Sequence, residues 1–219
     1  VDENKRESSE VADYVDEREQ WERAVGAAKE AGPWMLAGLV IAGAGYGGWQ
    51  YWTQRNARLA LEAATRYEQV LDAFGHNDLH SGTTLADALI RDFPQSPYAA
   101  QADLAAARVQ VESDALEQAA ARLRHVLETS PDHELALIAR LRLARVQLAQ
   151  HLPDAALATL NAVDAGAFAA PYAAVRGDVL LAKGDRDGAL REYRAARASG
   201  ANTVDSGLLD LKISDLAHS

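Results

Sequence analysis

Apolar and polar residues fall along this chain in three regimes. In residues 1–32, which are mainly polar and acidic, apolar positions recur at helical spacing between Asp13 and Glu30, at Val15, Trp21 and Val25. This predicts one short amphipathic helix, and before Val11 the composition predicts no ordered element. From Gly32 to Arg55 the sequence GPWMLAGLVIAGAGYGGWQYWTQR carries no charged side chain until its last residue. Beyond it, apolar residues return at helical spacing through Leu59, Ala63, Tyr67, Val70, Leu71 and Phe74, and then through an Ala-, Leu- and Arg-rich remainder. No segment alternates as a half-buried strand does, so the predicted fold class is all-α.

The twenty residues from Pro33 to Trp52 match the apolar length of a membrane span. As a helix rising about 1.5 Å per residue they cover roughly 30 Å, the thickness of a bilayer's hydrocarbon core. A core helix of a globular domain carries polar or charged residues on a solvent face within every two turns, and this run has no such face. Trp34 stands at one end and Trp49, Tyr51 and Trp52 at the other, the levels at which amphipathic rings favour a membrane interface. A cleaved signal peptide is excluded by the long acidic segment before the run and by aromatic residues where small ones are needed. The reading is a transmembrane helix over 33–52 that stays attached and either continues into the next segment or hinges just outside the membrane. Gly43 and Gly47 form G-x-x-x-G, and Gly38 with Ala42 and Ala44 with Gly48 repeat the small-xxx-small spacing. In lipid such a face lets another helix pack closely.

Internal repetition organises the rest, residues 53–219. Leu104 to Leu123 aligns without gaps on Leu141 to Leu160 at an offset of 37, and Gly177 to Tyr193 follows the second copy at an offset of 33. Helix-turn-helix units with these periods predict a tetratricopeptide-like domain, though no copy has the full Trp, Leu-Gly, Tyr and Pro pattern. Ala119, Ala156 and Ala189 share one register, predicted to be where the two helices of a unit approach most closely. Turns are predicted at RDFPQSPY, ETSPDH, QHLPD, VDAGAFAAP, AKGDRDG and ASGANT, and GHNDLHSG, bounded by Gly75 and Gly82, is read as a loop.

Charge and chemistry narrow the function. A net charge of -10, with arginines interleaved among acids, argues against a nucleic-acid surface. The chain has no cysteine, which removes thiol catalysis, disulfides and thiolate metal sites but leaves the compartment open. Arg18, Arg23 and Lys29 before the span are balanced by Arg55, Arg58 and Arg66 after it, so charge does not orient it. His76 and His80 in HNDLH have the one metal-like spacing, but with no third ligand nearby they are read as loop residues. His125, His133, His151 and His218 are read as isolated. No nucleophile elbow, phosphate loop or apolar carboxylate pair is found, so the chain is read as a non-enzyme without cofactor or metal. The repeat surface is then the candidate for function, with Arg108, Arg142 and Arg145 as partner-binding residues to set against a solvated face with intrahelical ion pairs.

With span and repeats in place, the chain resembles the YfgM family, the tetratricopeptide-like ancillary subunits of the SecYEG translocon of Gram-negative bacteria. The resemblance is carried by EREQWERAVGAAKEAGPWMLAG, by GGWQYW closing the span, by LRLARVQLAQHLPDAALATL, by RGDVLLAKGDRDGAL and by the ending LDLKISDLAHS, and covers nearly the full length. It implies a single-pass inner-membrane protein with residues 1–32 cytoplasmic and the repeats periplasmic. It also implies association with the translocon and with a membrane-anchored periplasmic prolyl isomerase, in a chaperone-like role toward emerging secretory proteins. The family brings no catalytic residues. A membrane-tethered scaffold for cell-envelope assembly, binding one fixed partner, is the alternative.

Overall fold

The computed structural model describes residues 40–199 and 205–217. The amphipathic helix expected over Asp13–Glu30, and Trp34 and Gly38 of the expected span, lie outside the described residues. The chain divides into two compact units, Val1–Arg58 and Leu59–Ser219.

Backbone helix is continuous over residues 40–75 (α1), in keeping with a first helix that continues past the apolar run. Its part in the first unit, residues 40–58, is exposed except at Thr53, with Val40, Ile41, Tyr46, Trp49, Tyr51 and Trp52 among the exposed side chains. Among the described residues no helix is long and apolar enough to cross a membrane, and the description begins seven residues into the apolar run.

The second unit is built of helices in pairs. Residues 59–75 of α1 pack with α2 (Leu79–Asp92), α3 (Pro97–Glu112) with α4 (Leu116–Thr129), α5 (His133–Ala149) with α6 (Pro153–Asn161), and α7 (Ala169–Ala182) with α8 (Arg186–Ser199). A short 3₁₀ turn, Gly166–Phe168, leads into α7, and α9 (Ser206–Ala217) closes the array on α8. First helices of neighbouring pairs also touch, α3 with α5 and α5 with α7. The breaks at Asp92–Pro97, Thr129–His133 and Ala182–Arg186 fall within predicted turns, whereas Ala149, Asn161 and Ser206 lie just outside theirs and the break at Glu112–Leu116 falls in none of them. Proline at the start of α3 and α6 sits where its missing N–H costs nothing.

One backbone device makes the turn inside every pair. Asn77, Asp114, His151 and Gly184 all have φ between 59° and 82°, and their spacings are the repeat offsets of 37, 37 and 33. The N–H of the following residue donates five residues back in each case: Asp78 to Ala73 O, Ala115 to Gln110 O, Leu152 to Gln147 O and Asp185 to Leu180 O, at 2.7 to 2.9 Å. This is the Schellman arrangement, which satisfies carbonyls that a helix end leaves bare. Gly, Asn and Asp tolerate the left-handed conformation best, and three of the four residues are of these types.

The packing follows the same register. Ala119, Ala156 and Ala189 are all fully buried, as the repeat alignment predicts. Gly82, 37 residues before Ala119, is buried too, and a Cβ on it would lie 2.4 Å from the Phe74 ring. The array therefore contains one pair more, at its N-terminal end, than the sequence repeats reveal, and GHNDLHSG is not simply a loop. The turn is confined to His76–Asp78; Leu79 and His80 open α2, because Asp78 caps it by accepting from Ser81 N at 3.0 Å. The bonds from Ser81 hold the Asp78 carboxyl below its usual range. Of the positions expected to face the core in α1, Ala63, Val70 and Phe74 are buried and Tyr67 partly so, whereas Leu59 and Leu71 are exposed.

Candidate partner-binding groove

Where α3 and α5 lie side by side over α4, the second unit opens a groove of about 380 Å³. Ala107 and Val111 of α3, Leu116 and Leu123 of α4, and Val146 and Ala149 of α5 give it an apolar lining. Its charged residues are Arg108, Arg142 and Arg145, with the single carboxylate of Glu112. The three arginines chosen from sequence thus converge on one groove, from two helices of neighbouring pairs. Helical spacing explains the convergence: Arg142 and Arg145 are three apart and share a face of α5, and Arg108 holds the position of Arg145 one repeat earlier.

The expectation of intrahelical ion pairs holds for one of the three. Arg108 approaches Glu112 at 3.9 Å, one turn along α3. Arg142 and Arg145 have no ion-pair partner among the described residues; Arg142 Nη1 instead donates to Leu104 O at 3.3 Å. Arg142 keeps contact with solvent, but atoms crowd its guanidinium. That burial, followed by the like charges of Arg108 and Arg145, lowers its pKa. Tyr67 of α1 belongs to the same neighbourhood. Burial pushes its hydroxyl up, and the positive charges of Arg142 and Arg108 act against that rise. Its ring lies 5.7 Å from that of Tyr98. Sequence spacing marks Tyr67 as an apolar position and gives no sign of this role, because the helices it meets are far along the chain.

A second charged cluster was not visible in sequence. Asp103 is 2% exposed on α3, and accepts from Arg122 Nη1 at 3.2 Å and pairs with His125 Nδ1 at 2.6 Å. Arg122 also meets Asp87 of α2 at 2.6 Å. Burial works to lower the Arg122 pKa, but its hydrogen bonds and attraction to Asp87 and Asp103 outweigh it and the net shift is upward. His125, expected to be isolated, is thus a partner in a network that fastens α2, α3 and α4. This network is a structural clamp: its carboxylate is enclosed and fully engaged.

His76 Nδ1 contacts Asp72 O at 2.9 Å, and among the described residues no three His, Cys, Asp or Glu side chains are placed to hold a metal. In the first unit, a Cβ added at Gly43 or Gly47 would meet nothing within 4 Å. Ala42, Trp49, Tyr51 and Trp52 are helical and exposed.

Comparison with known proteins agrees with this architecture. A tetratricopeptide repeat-like domain model matches residues 28–218. A protein of Escherichia coli strain K12 named ancillary SecYEG translocon subunit is 30% identical over 204 residues, covering 93% of this chain and 98% of its own. The chain belongs to the YfgM family. A relative of the same name from Neisseria gonorrhoeae is 28% identical over 208 residues, with 94% of this chain and 100% of its own covered. Among solved structures, the MamA RS-1 ArsTM double mutant superposes with a TM-score of 0.52 at 14% identity, over 71% of this chain and 94% of that one, a likeness of fold. The tetratricopeptide repeat-like model takes in the apolar run as well as the repeats, since it begins at residue 28.

Proposed function

We propose that this chain is a single-pass inner-membrane ancillary subunit of the Sec translocon, which works by binding and not by catalysis. Residues 33–52 form its membrane helix, 1–32 a cytoplasmic tail and 53–219 a periplasmic repeat domain. That domain holds a membrane-anchored prolyl isomerase and meets secretory or outer-membrane chains as they emerge. The observation that carries the reading is the match, over nearly the full length of both partners, to relatives named ancillary SecYEG translocon subunit. The apolar length of 33–52 with its aromatic ends supports the anchor. An open groove between repeat pairs supports a binding role, since arrays of this kind offer extended chains or helices a long surface. An anchored surface also sits at raised effective concentration toward anything leaving the membrane beside it.

The test is affinity purification of the tagged full chain from native membranes after crosslinking, with protease added to intact spheroplasts in parallel. SecYEG subunits and a prolyl isomerase are expected in the captured set, with the repeats cut and the tail before Trp34 protected. Capture of neither, or protection of the repeats with cutting of the tail, overturns the reading.

A further inference from the structure

We propose that the groove between α3 and α5 is a receptor for acidic-apolar polypeptide segments, in which a partner's carboxylate sits among Arg108, Arg142 and Arg145 and an adjoining apolar side chain rests on Val111, Leu116 and Ala149. This rests on the reading of the repeat domain as a polypeptide-binding module and specifies the chemistry it selects.

Charge complementarity identifies the occupant. The chain as a whole carries -10, yet this groove gathers three guanidinium groups against one carboxylate. That carboxylate, Glu112, is already turned to Arg108 at 3.9 Å, and Arg142 and Arg145 have no ion-pair partner among the described residues. Arg142 is held in a crowded setting beside two like charges, the arrangement that an incoming anion relieves. Guanidinium groups favour carboxylates, whose planar pair of oxygens matches their fork of donors. The floor is apolar, and Val111 stays 42% exposed, so a bare anion leaves it uncovered. A chain segment that alternates carboxylates with leucine-like side chains answers both features at once.

Fluorescence anisotropy on the purified full chain tests this with labelled Ser-Gly host peptides carrying Leu-Glu-Leu-Glu-Leu, the same with Gln for Glu, and the same with Lys for Glu. The Glu peptide is expected to bind about tenfold more tightly than the Gln peptide, and the Lys peptide more weakly than either. Arg142→Gln should abolish the Glu-over-Gln preference, and Arg145→Glu should move preference to the Lys peptide, a gain that misfolding cannot mimic. Equal affinity for the Glu and Gln peptides, or unchanged preferences in both variants, overturns the proposal. So does displacement by inorganic phosphate at the same concentration as unlabelled peptide. The assay contains no translocon, so its failure leaves the Sec association standing, and loss of the Sec association leaves this result standing.

Discussion

The ring of Tyr193 occupies the space in which a side chain on Gly177 would begin: a Cβ there would lie 2.5 Å from Tyr193 Cε1. One and two repeats earlier the same pair of positions holds Ala144 with Leu160 and Ala107 with Leu123, buried together in their clusters. Residue size on one helix thus compensates size on its partner. Gly177→Ala gains about 1 kcal/mol of helix propensity. Against this, overpacking costs roughly 1 to 3 kcal/mol, and Tyr193 is fully buried with its hydroxyl donating to Asp178 at 2.7 Å, so it cannot yield easily. The net expectation is destabilisation in urea unfolding. In a Tyr193→Leu background the same change should become neutral or stabilising, and a raised midpoint for Gly177→Ala alone would count against the packing.

Asp103 joins Arg122 and His125 from a nearly closed site, so Asp103→Ala should lower stability by about 2 kcal/mol. Arg122 keeps Asp87 at 2.6 Å, which limits the loss to less than that of a wholly stranded charge. His125→Ala removes a more exposed partner and should cost less. Urea midpoints of the two variants check the order, and a larger effect at His125 would mean that Asp103 is not the centre of the network.

How much of this was legible in sequence follows from how local each signal is. Ala119, Ala156 and Ala189 were legible because one small residue recurs at a fixed offset within similar text. Gly82 continues that register, but beside Gly75 and HND it reads as a breaker; only the Phe74 ring across the helix pair shows why a glycine is needed there. The arginines of the groove were legible as a face of α5 and its repeat, whereas the influence of Arg142 and Arg108 on the Tyr67 hydroxyl was not. Asp103 and His125 lie 22 residues apart on different helices, and no periodic pattern joins two polar residues across a turn in that way.

Stability should fall at alkaline pH. Burial, reinforced by the bond to Asp178, raises the Tyr193 hydroxyl, and burial raises that of Tyr172 against the pull of Arg140. A tyrosine of raised folded pKa contributes stability that is whole below the unfolded value of about 10 and is lost as pH climbs past it. Each such group can steepen the fall by up to about 1.4 kcal/mol per pH unit. Tyr193→Phe removes the hydroxyl and keeps the ring over which Lys212 lies at 5.2 Å, so it isolates the hydroxyl's part. Unfolding followed from pH 8 to 11.5 should show a shallower slope for that variant, and parallel slopes would remove Tyr193 as the source.

Gly43 and Gly47 form the G-x-x-x-G spacing that, in lipid, lets another helix pack closely. A Cβ at either meets nothing within 4 Å, so this chain makes no use of their smallness within itself among the described residues. Replacing both by Leu should therefore leave the repeat domain's unfolding unchanged, and membrane attachment should persist because it needs only apolar length. A packing partner would feel the change at once, since G-x-x-x-G works by letting two backbones approach and a pair of leucines holds them apart. Co-purification of SecYEG with the Gly43→Leu, Gly47→Leu variant should then drop, while Gly45→Leu, off that face, should behave as the parent chain does. If the double variant captures SecYEG at the parental level, the glycines are incidental to association, and docking rests on the repeat domain.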